Sequence, residues 1–213
     1  MQVNAILKRM RNSDSKGKGY YGEQAVLSIA LDVANRIGGS VYHSFRFPYK
    51  SAVKGNIFLR KDGTFTTVDG EGLMDEIDVL LITPYRIIPI EVKSYKSKVL
   101  KLKDTALERD NKIHYEGVGH KNPIWQTEKH ARMLYEAIYE YIPDGKAEYI
   151  KPLLCFVDRC SLYDLRDTEH KEYIPACILN NLVSFINKIN TPLQYRVDVE
   201  SLKGRLEKIC SSQ

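Results

Sequence analysis

Apolar residues in the first third of the chain recur at spacings that predict a helix followed by strands. From residue 20 to residue 37 they fall three or four positions apart, which predicts an amphipathic helix ended by Gly38-Gly39. Residues 41–47 then predict a strand. Two strand-like runs flank Lys61-Asp62-Gly63, and Asp-Gly favours a tight turn because it tolerates positive φ. The pattern therefore predicts a hairpin at residues 55–68.

The clearest hairpin signal lies near the middle of the chain. Residues 76–83 and 86–93 are two almost wholly apolar runs separated by Pro84-Tyr85. A strand with one solvent-exposed face alternates apolar and polar residues, and these two runs do not alternate. We therefore expect both strands to be central in a sheet and covered on both faces.

The remaining pattern predicts a single α/β domain. Its later elements are an exposed strand at 96–103, a helix at about 123–142, a buried strand at 150–157 and helices at about 175–189 and 197–210. A chain of 213 residues without repeats or a clear linker fits one domain. We divide it into a basic N-terminal arm at 1–19, a core at 20–160 and a C-terminal helical extension at 161–213 packed on the same domain.

Composition narrows the class of protein. Hydrophobic residues make up 43% and charged residues 28%, as in ordinary globular proteins. No apolar run approaches the roughly 20 residues that span a bilayer, and the N-terminus lacks a signal-peptide stretch. We therefore expect an intracellular, cytoplasmic protein. The 4 cysteines form no CxxC pair, which argues against a zinc site and favours a buried free thiol at Cys155.

Three charged residues lie at one end of the two central strands. Asp78 is near the start of the first apolar run, and Glu91 and Lys93 are at the end of the second. In an antiparallel hairpin Asp78 falls near the level of Glu91, at the end far from the turn. Residues two apart on a strand share a face, so Glu91 and Lys93 point the same way. The pattern predicts two carboxylates and a lysine at one edge of the core.

Such a cluster favours a divalent cation. Adjacent carboxylates repel each other, and burying them is costly unless they are paired or bind a cation. Oxygen ligands favour Mg²⁺, which needs only one or two protein carboxylates. Water activated by a cation beside an ammonium is a suitable nucleophile for a phosphodiester. The alternative is that these strands end in charged residues only because they emerge into water.

Four short motifs follow one another along residues 20–142. They are Gly22-Glu23-Gln24-Ala25-Val26, Glu76-Ile77-Asp78-Val79-Leu80, Ile90-Glu91-Val92-Lys93-Ser94-Tyr95, and Asn122-Pro123-Ile124-Trp125-Gln126 with the following His130-Ala131-Arg132. In this order they resemble the nuclease-related domain (NERD) family of the PD-(D/E)XK nuclease superfamily. The resemblance implies an α/β, restriction-endonuclease-like core with a central mixed β-sheet flanked by helices. It also implies an endonuclease that uses Mg²⁺, or alternatively Mn²⁺.

The resemblance implies a role for each matching residue. Asp78 and Glu91 would bind the metal, with the backbone carbonyl of Val92 as a further ligand. Lys93 would position or activate the attacking water. Glu23 would reach the site directly or through a water molecule.

Gln126 would face the site from its helix and contact the phosphate or a water. Two of these residues, Glu23 and Gln126, also have a purely structural interpretation. Glu23 could be a carboxylate favoured near a helix start by the helix dipole, and Gln126 could cap or bridge a loop. Trp125 and Tyr95 are expected to pack in the protein rather than stack on bases.

Lysines continue beyond Lys93. Lys96, Lys98 and Lys101 should flank the proposed cleft and neutralise phosphates. No recognition helix or finger is visible, so we expect contact with the nucleic-acid backbone rather than with base edges. A solvated basic face is the alternative, because a net charge of +5 favours polyanions only weakly.

The histidines are secondary in this interpretation, because the lysine already fills the role that a histidine general base at His114 or His120 could otherwise take. His43 shares a predicted strand face with Val41 and Phe45 and is expected to be structural. His114 and His120 are expected in a loop before the helix at residue 123. His130 lies one helical turn after Gln126 and could line the rim of the site.

The leading functional hypothesis is a metal-dependent DNA endonuclease, favoured by the intact set of Asp78, Glu91 and Lys93. The alternatives are a nuclease-like nucleic-acid-binding module with little or no turnover, and an α/β interaction domain with chance motifs. DNA is the expected partner. A helicase or recognition protein could choose the target, and a homodimer would explain paired cuts. No membrane association is expected.

Overall fold

A computed structural model of the chain describes residues 15–48, 56–59, 65–68, 74–95, 97–104, 106–110, 112–115 and 123–211. The helices in these ranges are α1 (Ser15–Ile37), α2 (Pro123–Ile138), α3 (Thr168–Tyr173), α4 (Leu182–Ile189) and α5 (Val199–Ser211). The strands are β1 (Ser40–Pro48), β2 (Asn56–Leu59), β3 (Phe65–Val68), β4 (Met74–Ile82), β5 (Ile87–Lys93), β6 (Val99–Lys103), β7 (Ala106–Arg109), β8 (Lys112–Tyr115), β9 (Leu153–Phe156), β10 (Ser161–Asp164) and β11 (Ala176–Ile178). None of these helices is both long enough and apolar enough to cross a lipid bilayer.

A five-stranded mixed sheet forms the centre of the molecule. Its order is β1-β4-β5-β9-β11. The β1–β4 and β4–β5 pairs are antiparallel, whereas β5, β9 and β11 run parallel. The predicted hairpin at 76–93 is confirmed, and residues Ile87 to Val92 are all buried. The α/β, restriction-endonuclease-like architecture predicted above is therefore the observed one.

Helices cover both faces of the central sheet. On one face α1 and α4 pack on Val79, Leu81 and Ile90. On the other face α2 and α5 pack on Leu80 and Ile82. Burial on both sides explains why β4 and β5 are apolar at nearly every position, as the sequence pattern predicted.

A second, four-stranded sheet lies beside the first, in the order β10-β6-β7-β8. Leu100 and Leu102 of β6 pack in one cluster with Leu154 and Phe156 of β9. The predicted strand at 96–103 is therefore half-buried rather than exposed, since its leucines alternate with outward lysines. β7, β8 and β10 were not predicted. The hairpin at 55–68 is confirmed by the antiparallel β2–β3 pair.

Helix boundaries differ from the predictions in three places. The first helix begins at Ser15 rather than residue 20, and α2 ends at Ile138, before 3₁₀ turns that extend to Tyr149. The predicted helix at 175–189 is wrong in its first part, where β11 pairs with β9 at the sheet edge. The helix in this region, α4, begins at Leu182, and its buried residues are Leu182, Ile186 and Ile189. Residues 161–213 thus contain strands as well as helices; the division at residue 160 remains a prediction.

Candidate functional site

The central hairpin opens into a fork at the predicted site. In the described strands, β4 and β5 pair from Ile82 and Ile87 as far as Val79 and Ile90. Beyond that point β4 continues beside β1, and β5 continues beside β9 as far as Lys93. Asp78 is the first residue past the last pair on β4, and Glu91 is the first past it on β5. We call this divergence the fork.

Asp78 occupies the position where the ladder between the two strands stops. Its Oδ2 accepts a hydrogen bond of 2.7 Å from the backbone N–H of Val92. The Asp78 side chain therefore accepts the N–H that a backbone carbonyl of β4 would accept if the antiparallel pairing continued. Because the strands separate here, the carboxyl group lies between them and beside Glu91.

The alternation of β1 and β4 also breaks at this level. Val79 packs with α1, but Ile77, two residues earlier, packs on the opposite face with α2. Ser44 has a φ of 49°, a left-handed conformation that is costly for a residue with a side chain. It lies between His43, which pairs with Val79, and Phe45, which pairs with Ile77. This break changes the direction of the backbone locally. Asp78 therefore lies at the fork and not in the hydrophobic cluster on either face of the sheet.

This break corrects one prediction. His43 and Phe45 do not share a face, because Phe45 is buried with α2 whereas His43 contacts α1. Nε2 of His43 lies 3.5 Å from Oε2 of Glu23 and 3.5 Å from Nε2 of Gln24. The left-handed Ser44 between the two residues accounts for the change of face.

Glu91 is almost fully buried and is held from two elements. Its exposed fraction is 2%. Lys93 on the same strand donates to Oε1, as their shared face predicts, and Nδ1 of His130 on α2 lies 3.0 Å from Oε2. Burial acts to raise the pKa of Glu91, but the His130 contact and the Lys93 charge together outweigh it and lower that pKa. Glu91 is therefore ionised.

Asp78 has the opposite balance. Burial and the neighbouring charge of Glu91 raise the pKa of Asp78 to about 7, and the Val92 N–H and Lys93 offset only part of this. For Lys93, burial acts to lower the pKa, but Glu91 and Asp78 outweigh it and raise that pKa. The ammonium therefore stays protonated, and the fork retains a carboxylate whose charge the protein does not fully compensate.

Glu23 lies near the fork but is paired with His43. Burial raises the pKa of Glu23 against the opposing effect of His43, and the charges of Glu76 and Glu91 add to the rise. A Cβ at Gly22 would lie 2.7 Å from a methyl of Val157, so glycine allows α1 to approach the end of β9 closely. The position of Glu23 thus depends on the neighbouring glycine.

Gln126 and Trp125 differ in their surroundings. Oε1 of Gln126 is shielded from solvent and accepts no hydrogen bond from any residue that the structure describes. This leaves an acceptor on the helix that carries His130. Trp125 is 53% exposed with Lys129 over its ring, so the expected packing is only partial. The inward face of α2 is formed by Pro123, Thr127 and His130 instead.

The remaining predicted residues lie on the second sheet or outside the described part. Tyr95 packs on Phe156 as expected, with Arg109 over its ring. Lys98 is exposed, whereas Lys101 shares Glu108 with Lys103, at 2.6 and 3.3 Å. Lys96 and His120 lie outside the described residues. His114 is on β8 rather than in a loop. The Val92 carbonyl remains a predicted ligand.

Two clusters were not predicted from the sequence. The contact of His130 with Glu91 joins residues 39 positions apart, so only the one-turn spacing from Gln126 could have suggested it. Asp104, Asp167 and His170 form an exposed group whose ligand atoms lie within 4.8 Å of one another. Asp167 caps α3 by accepting from the N–H of His170, so this group has the contacts of a helix start.

Comparison with known families agrees with the geometry. The model of one family, the nuclease-related domain, matches residues 18–157, which include the fork, α2 and all but the first three residues of α1. No curated protein and no solved structure matches the chain.

Proposed function

Because the chain belongs to the nuclease-related domain family, we propose that it is a metal-dependent endonuclease that hydrolyses phosphodiester bonds in DNA. The observation that carries the proposal is the fork, where Asp78 and Glu91 meet at the split of two central strands. Lys93 contacts Glu91 there. Two carboxylates and a lysine at the end of buried strands suit a metal-dependent hydrolase better than a packing role.

The donor set fits a hard divalent cation. Asp78 and Glu91 offer carboxylate oxygens, which Mg²⁺ and Mn²⁺ prefer. The raised pKa of Asp78, caused by burial and by Glu91, is what a site short of positive charge should have. We propose these two residues as ligands, with the Val92 carbonyl as a third and Glu23 acting directly or through water.

The side chains around the fork have separable tasks. A bound cation would supply Lewis-acid activation of water and neutralise charge on the phosphate. Lys93, kept protonated by Glu91 and Asp78, would orient the attacking water and stabilise negative charge on the phosphate, rather than remove a proton. Oε1 of Gln126 would accept a hydrogen bond from that water.

Contact with DNA would run along the phosphate backbone. Exposed Lys98 lies just before β6, and it and the lysines of β6 could neutralise phosphates. Lys96 belongs to the same proposed footprint. Target choice could depend on a helicase or recognition subunit, and paired cuts would need a homodimer.

Cleavage of supercoiled plasmid tests the proposal. Wild-type protein with Mg²⁺ or Mn²⁺ should nick the plasmid, and EDTA should stop it. Lys93→Ala and Asp78→Ala should each lower the rate about 100-fold or more, because each removes a group that acts at the reacting phosphate. Both variants should keep most of their affinity for DNA, measured by fluorescence anisotropy.

A matched control is Lys188→Ala, which removes an exposed lysine on α4 and should cleave like wild type. Equal cleavage by wild type, Lys93→Ala and Asp78→Ala would exclude the fork as the active site. Salt-dependent DNA binding without cleavage under any metal would instead favour the binding-module hypothesis.

A further inference from the structure

His130 is a buried polar residue whose imidazole reaches the fork from α2, whereas Lys93 lies on β5 beside Glu91. Its exposed fraction is 3%, and Nδ1 lies 3.0 Å from Oε2 of Glu91. Lys93 holds the other oxygen of the same carboxylate. Oε2 accepts no hydrogen bond from the described residues, so His130 acts on it through a close polar contact from α2, whereas Lys93 donates to Oε1 from β5.

We propose that His130 is a positioning residue that holds Glu91 in the orientation needed to bind the divalent cation. This inference rests on the proposed function, since it concerns the same metal site. A glutamate has three rotatable side-chain bonds, and a single contact from Lys93 would leave rotation about the contact free. The close contact of His130 with the other oxygen restricts that freedom before the cation arrives.

Enough acceptor capacity remains on Glu91 for a ligand role. An ionised carboxylate has about four lone-pair directions. Lys93 uses one on Oε1, and Oε2 accepts no hydrogen bond from the described residues, so it keeps its lone pairs for a cation. Carboxylate ligands in metal sites are commonly oriented by neighbouring side chains, and loss of the partner typically weakens metal binding about 10–100-fold.

A purely structural role is the competing interpretation, because His130 sits on the buried face of α2. That face is packed by apolar residues as well, and Ala131 and Leu134 contact the sheet core beside it. An apolar side chain of similar size at position 130 would therefore preserve packing while removing the donor. The two interpretations differ in what such a variant does to metal binding.

Direct binding of Mn²⁺ to the full chain, followed by isothermal titration calorimetry, tests the proposal. His130→Leu should raise the Kd for Mn²⁺ about 10–100-fold. His130→Asn places an amide nitrogen near the position of Nδ1, so it should stay within about threefold of wild type. Thr127→Val is the matched control, since the Thr127 hydroxyl donates to the Pro123 carbonyl on the same buried face; its Kd should not change.

Thermal unfolding in EDTA identifies variants that fold. If His130→Leu is unfolded, His130→Gln replaces it, because its amide nitrogen reaches the Nε2 position rather than Nδ1, and it should also weaken Mn²⁺ binding. A folded Leu or Gln variant that binds Mn²⁺ as tightly as wild type overturns the positioning role. So does an Asn variant as weak as the Leu variant. Wild-type protein that binds no Mn²⁺ overturns the metal site itself, and this result is distinct from the other two.

Discussion

The fork and the outer face of the second sheet are both unbalanced in charge, but in opposite senses. At the fork, the ammonium of Lys93 pairs with Glu91 and its charge also acts on Asp78, and Nδ1 of His130 lies 3.0 Å from Oε2 of Glu91. On the outer face of the second sheet, two lysines share one carboxylate. We call that set, Lys101, Lys103 and Glu108, the lysine face.

The difference between the two regions is their access to water. The lysine face is partly exposed, so solvent screens its surplus positive charge at little cost. The fork is buried, so its surplus negative charge appears as a raised pKa at Asp78. A bound cation would balance the surplus negative charge at the fork. A phosphate backbone would balance the surplus positive charge of the lysine face.

The largest effect should come from neutralising Asp78. Its folded-state pKa of about 7 lies above the ordinary 3.8, so its contribution to stability is full below about pH 4 and is lost as pH rises through 7. Asp78→Asn, which cannot ionise, should therefore stabilise the metal-free protein by roughly 2–4 kcal/mol at pH 8 and by almost nothing at pH 4. Urea unfolding in EDTA at both values measures this.

A matched control is Asp32→Asn, which removes a carboxylate from the exposed face of α1 and should not reproduce the gain at pH 8. Added Mn²⁺ should stabilise wild type at pH 8 but not Asp78→Asn, because the variant lacks the anionic ligand. A variant no more stable than wild type at pH 8 would mean that the fork is not short of positive charge.

A smaller effect should follow from moving α1 away from the fork. Gly22→Ala places a Cβ 2.7 Å from a methyl of buried Val157, a stiff β-branched side chain that cannot easily give way. We expect a loss of about 1–3 kcal/mol in stability together with slower cleavage. Gly19→Ala on the same helix meets nothing within 4 Å and should gain about 0.5–1 kcal/mol. Equal behaviour of the two variants in thermal unfolding would contradict the close approach of α1.

The smallest effects should come from the lysine face and the neighbouring exposed Lys98. Replacing Lys98 and Lys101 by glutamine should weaken DNA binding and flatten its dependence on salt by about one unit of slope per lost phosphate contact. Glu108→Gln should act in the opposite direction, by a few-fold, since it frees Lys101 and Lys103 from their carboxylate. Anisotropy titrations at several salt concentrations measure both, with Lys188→Gln as the surface control. An unchanged slope in the double variant would remove these lysines from the footprint.

Much of the fold could be predicted because its strongest signals are local. The β4–β5 hairpin follows from two apolar runs and one turn. That Glu91 and Lys93 lie on the same face of β5 follows from strand alternation. The second sheet was largely missed, because β7, β8 and β10 are strands of four residues, too short to show a period. β11 was taken for a helix, since a short apolar segment fits both structures.

The sequence by itself determined which chemistry is available at the candidate site: two carboxylates and a lysine at the same level of one hairpin. Tertiary structure alone decided how these charges are balanced. His130 meets Glu91 across 39 residues, and Ser44 turns the strand beside Asp78. Both depend on packing between distant elements, whose contacts leave no periodic trace along the chain. Burial acts to raise the pKa of both carboxylates, but the contacts with His130 and Lys93 outweigh it at Glu91, so only Asp78 retains a raised pKa.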